Sequence, residues 1–122
     1  MAFEAFDVVV VPFPFTDRSS TRRRPALVLS RNMPFNQQLG QSVLAMITSA
    51  NHSDWPLDTA IDDLDAAGLP TTSIVRMKLF TLDDRLVIRK AGQLAAQDAR
   101  NVSVALENLL GIGPSQTPGQ RH

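Results

Sequence analysis

The sequence predicts a small, mainly β protein (α+β), in which a largely antiparallel, barrel-like sheet is followed by a C-terminal helix. Short apolar, β-branched runs recur before residue 95, separated by Pro, Gly and polar residues. Beyond that point, apolar residues recur at steps of three or four, which is typical of an amphipathic helix. At 122 residues, the chain is near the usual size of one domain.

The first strand covers Asp7 to about Val11 and ends where prolines begin. Pro12 and Pro14 have no N–H to donate to a sheet, so the strand should stop or reach a sheet edge there. The segment 16–24 that follows has no periodicity and contains many turn-forming side chains. It predicts a mobile loop.

Further strands are predicted from apolar or alternating runs of strand length. The run 25–30 is apolar throughout, and 72–83 alternates loosely so that Arg76 and Lys78 share one face. The predicted strands after the first are 25–30, 42–49, 55–62, 72–83 and 85–94.

The predicted helix occupies 95–111, and Gly111 is a suitable C-terminal stop. Residues 112–122 are rich in Pro, Gly and polar side chains, which predicts a disordered tail. We therefore expect one domain over 1–111.

The composition excludes several kinds of chemistry. The chain has no cysteine, so disulfides and thiolate nucleophiles are ruled out. Only His52 and His122 are histidines, and we expect neither a metal nor another cofactor. No apolar run approaches the roughly 20 residues of a membrane-spanning helix, and the N-terminus lacks the pattern of a secretory signal.

A formal net charge of zero conceals two segments of opposite sign. Such patterning can serve binding, but two solvated loops would produce it as well. The basic segment 16–31 carries Arg18, Arg22, Arg23, Arg24 and Arg31 against Asp17, whereas the segment 50–70 carries Asp54, Asp58, Asp62, Asp63 and Asp65.

Three consecutive arginines directly precede Pro25 and a predicted core strand. A turn alone would use Gly, Asn or Asp at a lower electrostatic cost, so this concentration of charge suggests an anionic partner. Arginine, threonine and serine near strand ends are suited to binding phosphate.

Four segments in order, DVVVVPFPFTD, RRRPALVLS, AMITSA and AAGLPTTSIVRMKLFTLD, resemble the MazF/PemK family of toxins over roughly residues 5–111. The resemblance implies a small SH3-like barrel of the MazF, Kid and CcdB type that forms a homodimer. It also implies a cytoplasmic, growth-inhibiting endoribonuclease that cleaves single-stranded RNA without a metal. A cognate antitoxin would inhibit it, and operator DNA would be bound only through that antitoxin.

The resemblance assigns catalytic roles to Arg24, at the RP dipeptide, and Thr48, at the end of the third strand. Arginine is a very poor base because its pKa exceeds about 12, so we assign Arg24 to electrostatic stabilisation of phosphate. Thr48 would bind the scissile phosphate or position the 2′-hydroxyl; without the resemblance, an ordinary strand residue is an equal interpretation.

Other residues are expected to contact the substrate. Histidine has a pKa suited to proton transfer near neutrality, but a loop residue such as His52 is more often a solvated surface group. Trp55 would stack on an unpaired base, or pack under a loop or across a dimer. Arg76 and Lys78 would line the RNA groove or, equally, lie on a solvent-exposed face of the sheet. The expected substrate-binding residues are Arg18, Thr21, Arg22, Arg23, Ser49, His52, Ser73, Arg76 and Lys78.

The chain departs from the family pattern at two places. Phe6 precedes Asp7 where the family commonly has glycine, and Ser19, Ser20 and Thr21 replace a glycine-rich loop.

Two alternatives to RNA cleavage are a CcdB-like toxin that binds DNA gyrase and an inactive relative that retains antitoxin binding.

Overall fold

The computed structural model describes residues 2–13, 22–49 and 55–113. Within these ranges, six strands form one antiparallel sheet in the order β4-β5-β3-β2-β1-β6. The strands are β1 (Asp7–Pro12), β2 (Arg23–Val28), β3 (Gln41–Thr48), β4 (Thr59–Ala60), β5 (Ile74–Asp83) and β6 (Arg89–Gln93). The helices are α1 (Gln37–Leu39), α2 (Leu64–Ala67) and α3 (Ala96–Leu110), and single helical turns cover Asn32–Asn36 and Asp84–Leu86.

Both faces of the central strands are buried. On one face, Val8 pairs with Leu27, and Leu27 pairs with Ala45. This row packs against Val102 and Ala105 of α3. Because side chains alternate along a strand, the neighbouring residues point to the other face. The second core contains Phe3, Val9, Val11, Ala26, Val28, Leu44 and Leu82.

The predicted fold class is confirmed: the sheet curls into a half-barrel with a C-terminal helix. An irregularity in β5 accompanies the curl, because Ala45 pairs with Leu79 but the next residue, Met46, pairs with Arg76. The residues between Arg76 and Leu79 therefore form a β-bulge. Bulges increase the local twist of a sheet and redirect side chains.

Two buried aspartates tie distant segments together. Asp7 accepts hydrogen bonds from the Glu4 backbone N–H (2.9 Å) and the Gln93 amide (3.1 Å), and lies 3.2 Å from the Lys90 ammonium. Asp98, in the first turn of α3, accepts hydrogen bonds from the backbone N–H groups of residues 62 and 63. Asp98 thus fixes the chain between β4 and α2 against the helix.

The turn after β5 carries an exposed ion pair. Asp83 accepts hydrogen bonds from the Arg85 side chain and backbone. The hydrogen bond from the Arg85 guanidinium, followed by that from the Arg85 backbone, lowers the pKa of Asp83 to about 2. The Asp83 carboxylate in turn raises the pKa of Arg85.

The strand predicted over 55–62 is wrong for most of its length, because only Thr59–Ala60 forms a strand. Leu57 adopts the left-handed conformation with φ +66°, and the Asp58 backbone N–H donates to the Trp55 carbonyl at 3.3 Å. These features turn the chain before β4. The helix predicted over 95–111 is confirmed as α3, with Gly111 as its C-cap.

Phe6 also lies in the left-handed region, with φ +72°. Its backbone accepts a hydrogen bond from the Leu94 N–H and donates one to the Val28 carbonyl. The departure from the family pattern therefore falls at a backbone conformation that favours glycine. The phenyl ring is partly buried against the core that packs on α3.

Gly68→Ala should destabilise the fold much more than Gly40→Ala. Both glycines are helix C-caps with φ near +70°, so both substitutions place alanine in a left-handed conformation that costs about 1 kcal/mol. A Cβ on Gly68 would lie 2.1 Å from the Ala91 carbonyl oxygen, whereas one on Gly40 meets nothing within 4 Å. Overpacking should bring the loss at Gly68 to roughly 3 kcal/mol, measured by urea unfolding. Equal losses would contradict the close packing of α2 on β6.

Candidate nucleic-acid interface

Arg24 and Thr48 lie on the same face of the sheet. Ala26 and Met46 pair directly across β2 and β3. Arg24 precedes Ala26 by two residues and Thr48 follows Met46 by two, so side-chain alternation places both on the face of that pair. Each side chain is half-buried. The same face of the sheet carries the second core, which includes Ala26.

Pro25 accounts for the position of this site at the end of the ladder. β2 pairs with β1 on both sides of Pro25, but its described pairing with β3 starts only at Ala26. Because proline has no N–H, it cannot continue a ladder as a donor. Arg24 is held by its pairing with β1, and Thr48 by its pairing with β5. The two functional candidates therefore stand on rigid strands where β2 and β3 part.

A cavity of about 350 Å³ lies beside Thr48. Phe13 connects Arg24 to this cavity, because the Arg24 guanidinium carbon lies 5.2 Å from the centroid of the Phe13 ring. A cation at this distance from an aromatic face is held by the quadrupole of the ring. The cavity is lined by Phe13, Met46, Thr48, Arg76, Lys78, Leu79 and Phe80.

Two of the lining residues, Arg76 and Lys78, contact side chains that are not themselves in the lining, an aspartate and an indole ring. Arg76 donates two hydrogen bonds to the Asp58 carboxylate through Nε and a third through Nη2, the shortest being 2.8 Å. The Asp58 side chain is only 4% exposed. The Trp55 ring centroid lies 5.7 Å from the Arg76 guanidinium carbon and 4.7 Å from the Lys78 ammonium. We call residues 55–58 the Trp55 turn.

The charges of this site suit an anion. Within the described part of the chain, no carboxylate forms an ion pair with Arg24, whereas Asp58 compensates Arg76. A guanidinium that is not neutralised by a carboxylate can donate two parallel hydrogen bonds to phosphate oxygens. The described residues contain no group of three or more His, Asp or Glu side chains placed to hold a metal ion.

The sequence matches the profile of the PemK-like, MazF-like toxins of type II toxin–antitoxin systems over residues 4–110. The chain belongs to this family. A comparison with curated proteins gives no match. The family match confirms the resemblance that the four sequence segments carry.

Solved structures of MazF proteins share the fold. A MazE-MazF complex from Deinococcus radiodurans (Form-III) has a TM-score of 0.74 and 23% identity, covering 93% of this chain and 100% of that chain. An endoribonuclease from Mycobacterial species in complex with its cognate antitoxin has a TM-score of 0.71 and 18% identity, covering 92% and 96%. Mycobacterium tuberculosis MazF-mt6 has a TM-score of 0.69 and 19% identity, covering 88% and 98%.

The structure distributes the predicted site residues of this MazF-like toxin unevenly. Arg76 and Lys78 line the same cavity as Thr48. Arg22 and Arg23 are exposed at the start of β2, and Ser49 is exposed directly after β3. Ser73 is 3% exposed, and its hydroxyl donates to the Thr71 carbonyl at 2.8 Å. Arg18, Thr21 and His52 lie outside the described residues, as do 114–122 of the predicted tail.

Phe13 and Asp58 belong to the site but are absent from the sequence-based prediction. Phe13 follows a strand end and carries no polar group, so no motif marks it. Asp58 is one of several aspartates in the acidic segment, and its partner Arg76 is distant in the sequence. The alternation of residues along 55–62 predicts a half-exposed strand, whereas the Asp58–Arg76 pair depends on how the Trp55 turn lies against β5.

No helix in the described part of the chain combines the length and apolar character needed to cross a bilayer.

Asp58→Ala should lower the free energy of unfolding by roughly 2 kcal/mol, because it leaves the partly buried Arg76 guanidinium without its carboxylate. Arg85→Ala is the matched control, since it removes an ion pair whose Arg85 side chain is 89% exposed and should contribute little, and it keeps the hydrogen bond from the Arg85 backbone N–H to Asp83. Thermal and urea unfolding of both variants would measure the difference. Equal effects of the two substitutions would show that Asp58 does not fasten the Trp55 turn.

Proposed function

We propose that this toxin is a metal-independent, sequence-selective endoribonuclease that cleaves single-stranded RNA. The observation that carries the proposal is the placement of Arg24 and Thr48 on one sheet face beside the cavity. Family membership supports the same activity, since two of the similar structures are described as endoribonucleases.

RNA supplies its own nucleophile for this reaction. The 2′-hydroxyl attacks the adjacent phosphorus, the bond from phosphorus to the 5′-oxygen breaks, and the products carry a 2′,3′-cyclic phosphate and a 5′-hydroxyl. Arg24 donates hydrogen bonds to the non-bridging oxygens as their negative charge grows. Thr48 positions the 2′-hydroxyl or the scissile phosphate through its own hydroxyl.

The proposed partners follow from the family. Several of the similar structures are complexes, either of MazE with MazF or of an endoribonuclease with its cognate antitoxin. We infer that a cognate antitoxin inhibits this chain. We further infer a homodimer, growth inhibition through transcript cleavage in the cytoplasm, and contact with operator DNA only through the antitoxin.

Arg24→Ala and Thr48→Ala should each reduce RNA cleavage by about 10²-fold or more, because each removes a contact that strengthens in the transition state. The assay incubates a mixed-sequence RNA with purified protein and EDTA and identifies the product ends. Arg100→Ala, an exposed substitution on α3, serves as a control and should cleave normally. Equal cleavage by all variants would contradict the catalytic roles of Arg24 and Thr48.

Arg22→Ala and Arg23→Ala should weaken RNA binding without slowing the cleavage of bound RNA. Both residues are exposed beside Arg24, where they attract the phosphate backbone. Each substitution should reduce the slope of log K against log salt by about 0.7 if the arginine contacts one phosphate. Single-turnover kinetics at saturating protein would separate the effects; a slower chemical step in either variant would contradict the steering role.

A further inference from the structure

We propose that Trp55 is a base-stacking residue of the RNA groove, next to the scissile phosphate. This inference rests on the proposed function and names a recognition residue within that site. Trp55 is 40% exposed and belongs to neither of the two cores formed by the described residues. An aromatic ring outside the core and held by cations is suited to single-stranded nucleic acid, in which unpaired bases stack on aromatic side chains.

The two cations that hold the ring also line the cavity of Thr48. Arg76 and Lys78 both extend from β5, and both lie within cation–π distance of the indole. A nucleotide whose base stacks on Trp55 therefore has its phosphate near positive charge. Because Thr48 lines the same cavity as these two cations, a base stacked on Trp55 would belong to a nucleotide near the one bound at Thr48.

Asp58 acts as a positioning residue for the Trp55 ring. Its buried carboxylate accepts three hydrogen bonds from Arg76, and its backbone N–H donates to the Trp55 carbonyl. Together these contacts hold the Trp55 turn, including the left-handed Leu57, against β5. A ring that is ordered before binding loses less conformational entropy when a base stacks on it.

Trp55 is the only tryptophan of the chain, so intrinsic fluorescence reports on it alone. The probe is a mixed-sequence single-stranded RNA octamer with 2′-O-methyl groups on every ribose, which cannot be cleaved through the 2′-hydroxyl. The control is an abasic octamer with the same number of phosphates. We expect saturable quenching by the octamer and binding without quenching by the abasic control. Binding of both without a difference in quenching would overturn the inference, and so would failure of the octamer to bind.

Variants give a second measurement by anisotropy of a labelled octamer. Trp55→Leu should weaken the affinity for the octamer by about tenfold and leave the affinity for the abasic control unchanged. Trp55→Phe should bind the octamer almost as tightly as the original protein, because phenylalanine retains an aromatic face. Val104→Ala, which removes an exposed apolar side chain on α3, is the matched control and should bind like the original protein.

The two proposals fail separately. If the protein cleaves RNA but Trp55→Leu binds the octamer as tightly as the original, the stacking inference is overturned and the nuclease assignment stands. If the octamer quenches Trp55 while Arg24→Ala and the original protein cleave RNA equally, the catalytic assignment fails and the stacking inference is supported.

Discussion

Burial of both faces of the central strands is the constraint on which the site depends. Val8 and Val9, consecutive in β1, are both fully buried on opposite faces. Charged side chains are therefore absent from the middle of β1, β2 and β3, and those of β1 and β2 lie at strand ends. Pro25, within β2, lies where the described pairing of β2 with β3 ends, and the residue before it is Arg24. The proposed phosphate site therefore lies where the hydrogen-bonded ladder stops.

The distribution of charge then separates two kinds of arginine. Arg76 is paired with a carboxylate that is almost completely buried, so it acts first as a structural cation that holds the Trp55 turn. Arg24 rests on the ring of Phe13, a contact that orients a guanidinium without neutralising it. A guanidinium that pairs with no carboxylate of the described residues is suited to developing phosphate charge, whereas Arg76, which is paired, is suited to a structural role.

Two of the four described aspartates of the acidic segment, Asp58 and Asp63, have structural roles. Asp63 accepts a hydrogen bond from the backbone N–H of Ala66 at the start of α2, and Asp58 belongs to the Arg76 ion pair. The sequence pattern had left open whether these charges serve binding or solvation. Capping and pairing are decided by local geometry over a few ångströms, which the spacing of charges along the chain does not encode.

The sequence by itself determined the family, the mainly β fold with its C-terminal helix, and the two residues on which the proposed chemistry rests. Those features are local: β-branched runs, the dipeptide Arg24-Pro25, and an apolar period of three to four in 95–111. The Trp55 turn, the Asp58–Arg76 pair and the contact of Phe13 with Arg24 were decided only by the tertiary structure. Asp58 meets Arg76 through the pairing of β4 with β5, and Phe13 meets Arg24 through the pairing of β1 with β2. No local pattern records which distant side chain will lie opposite.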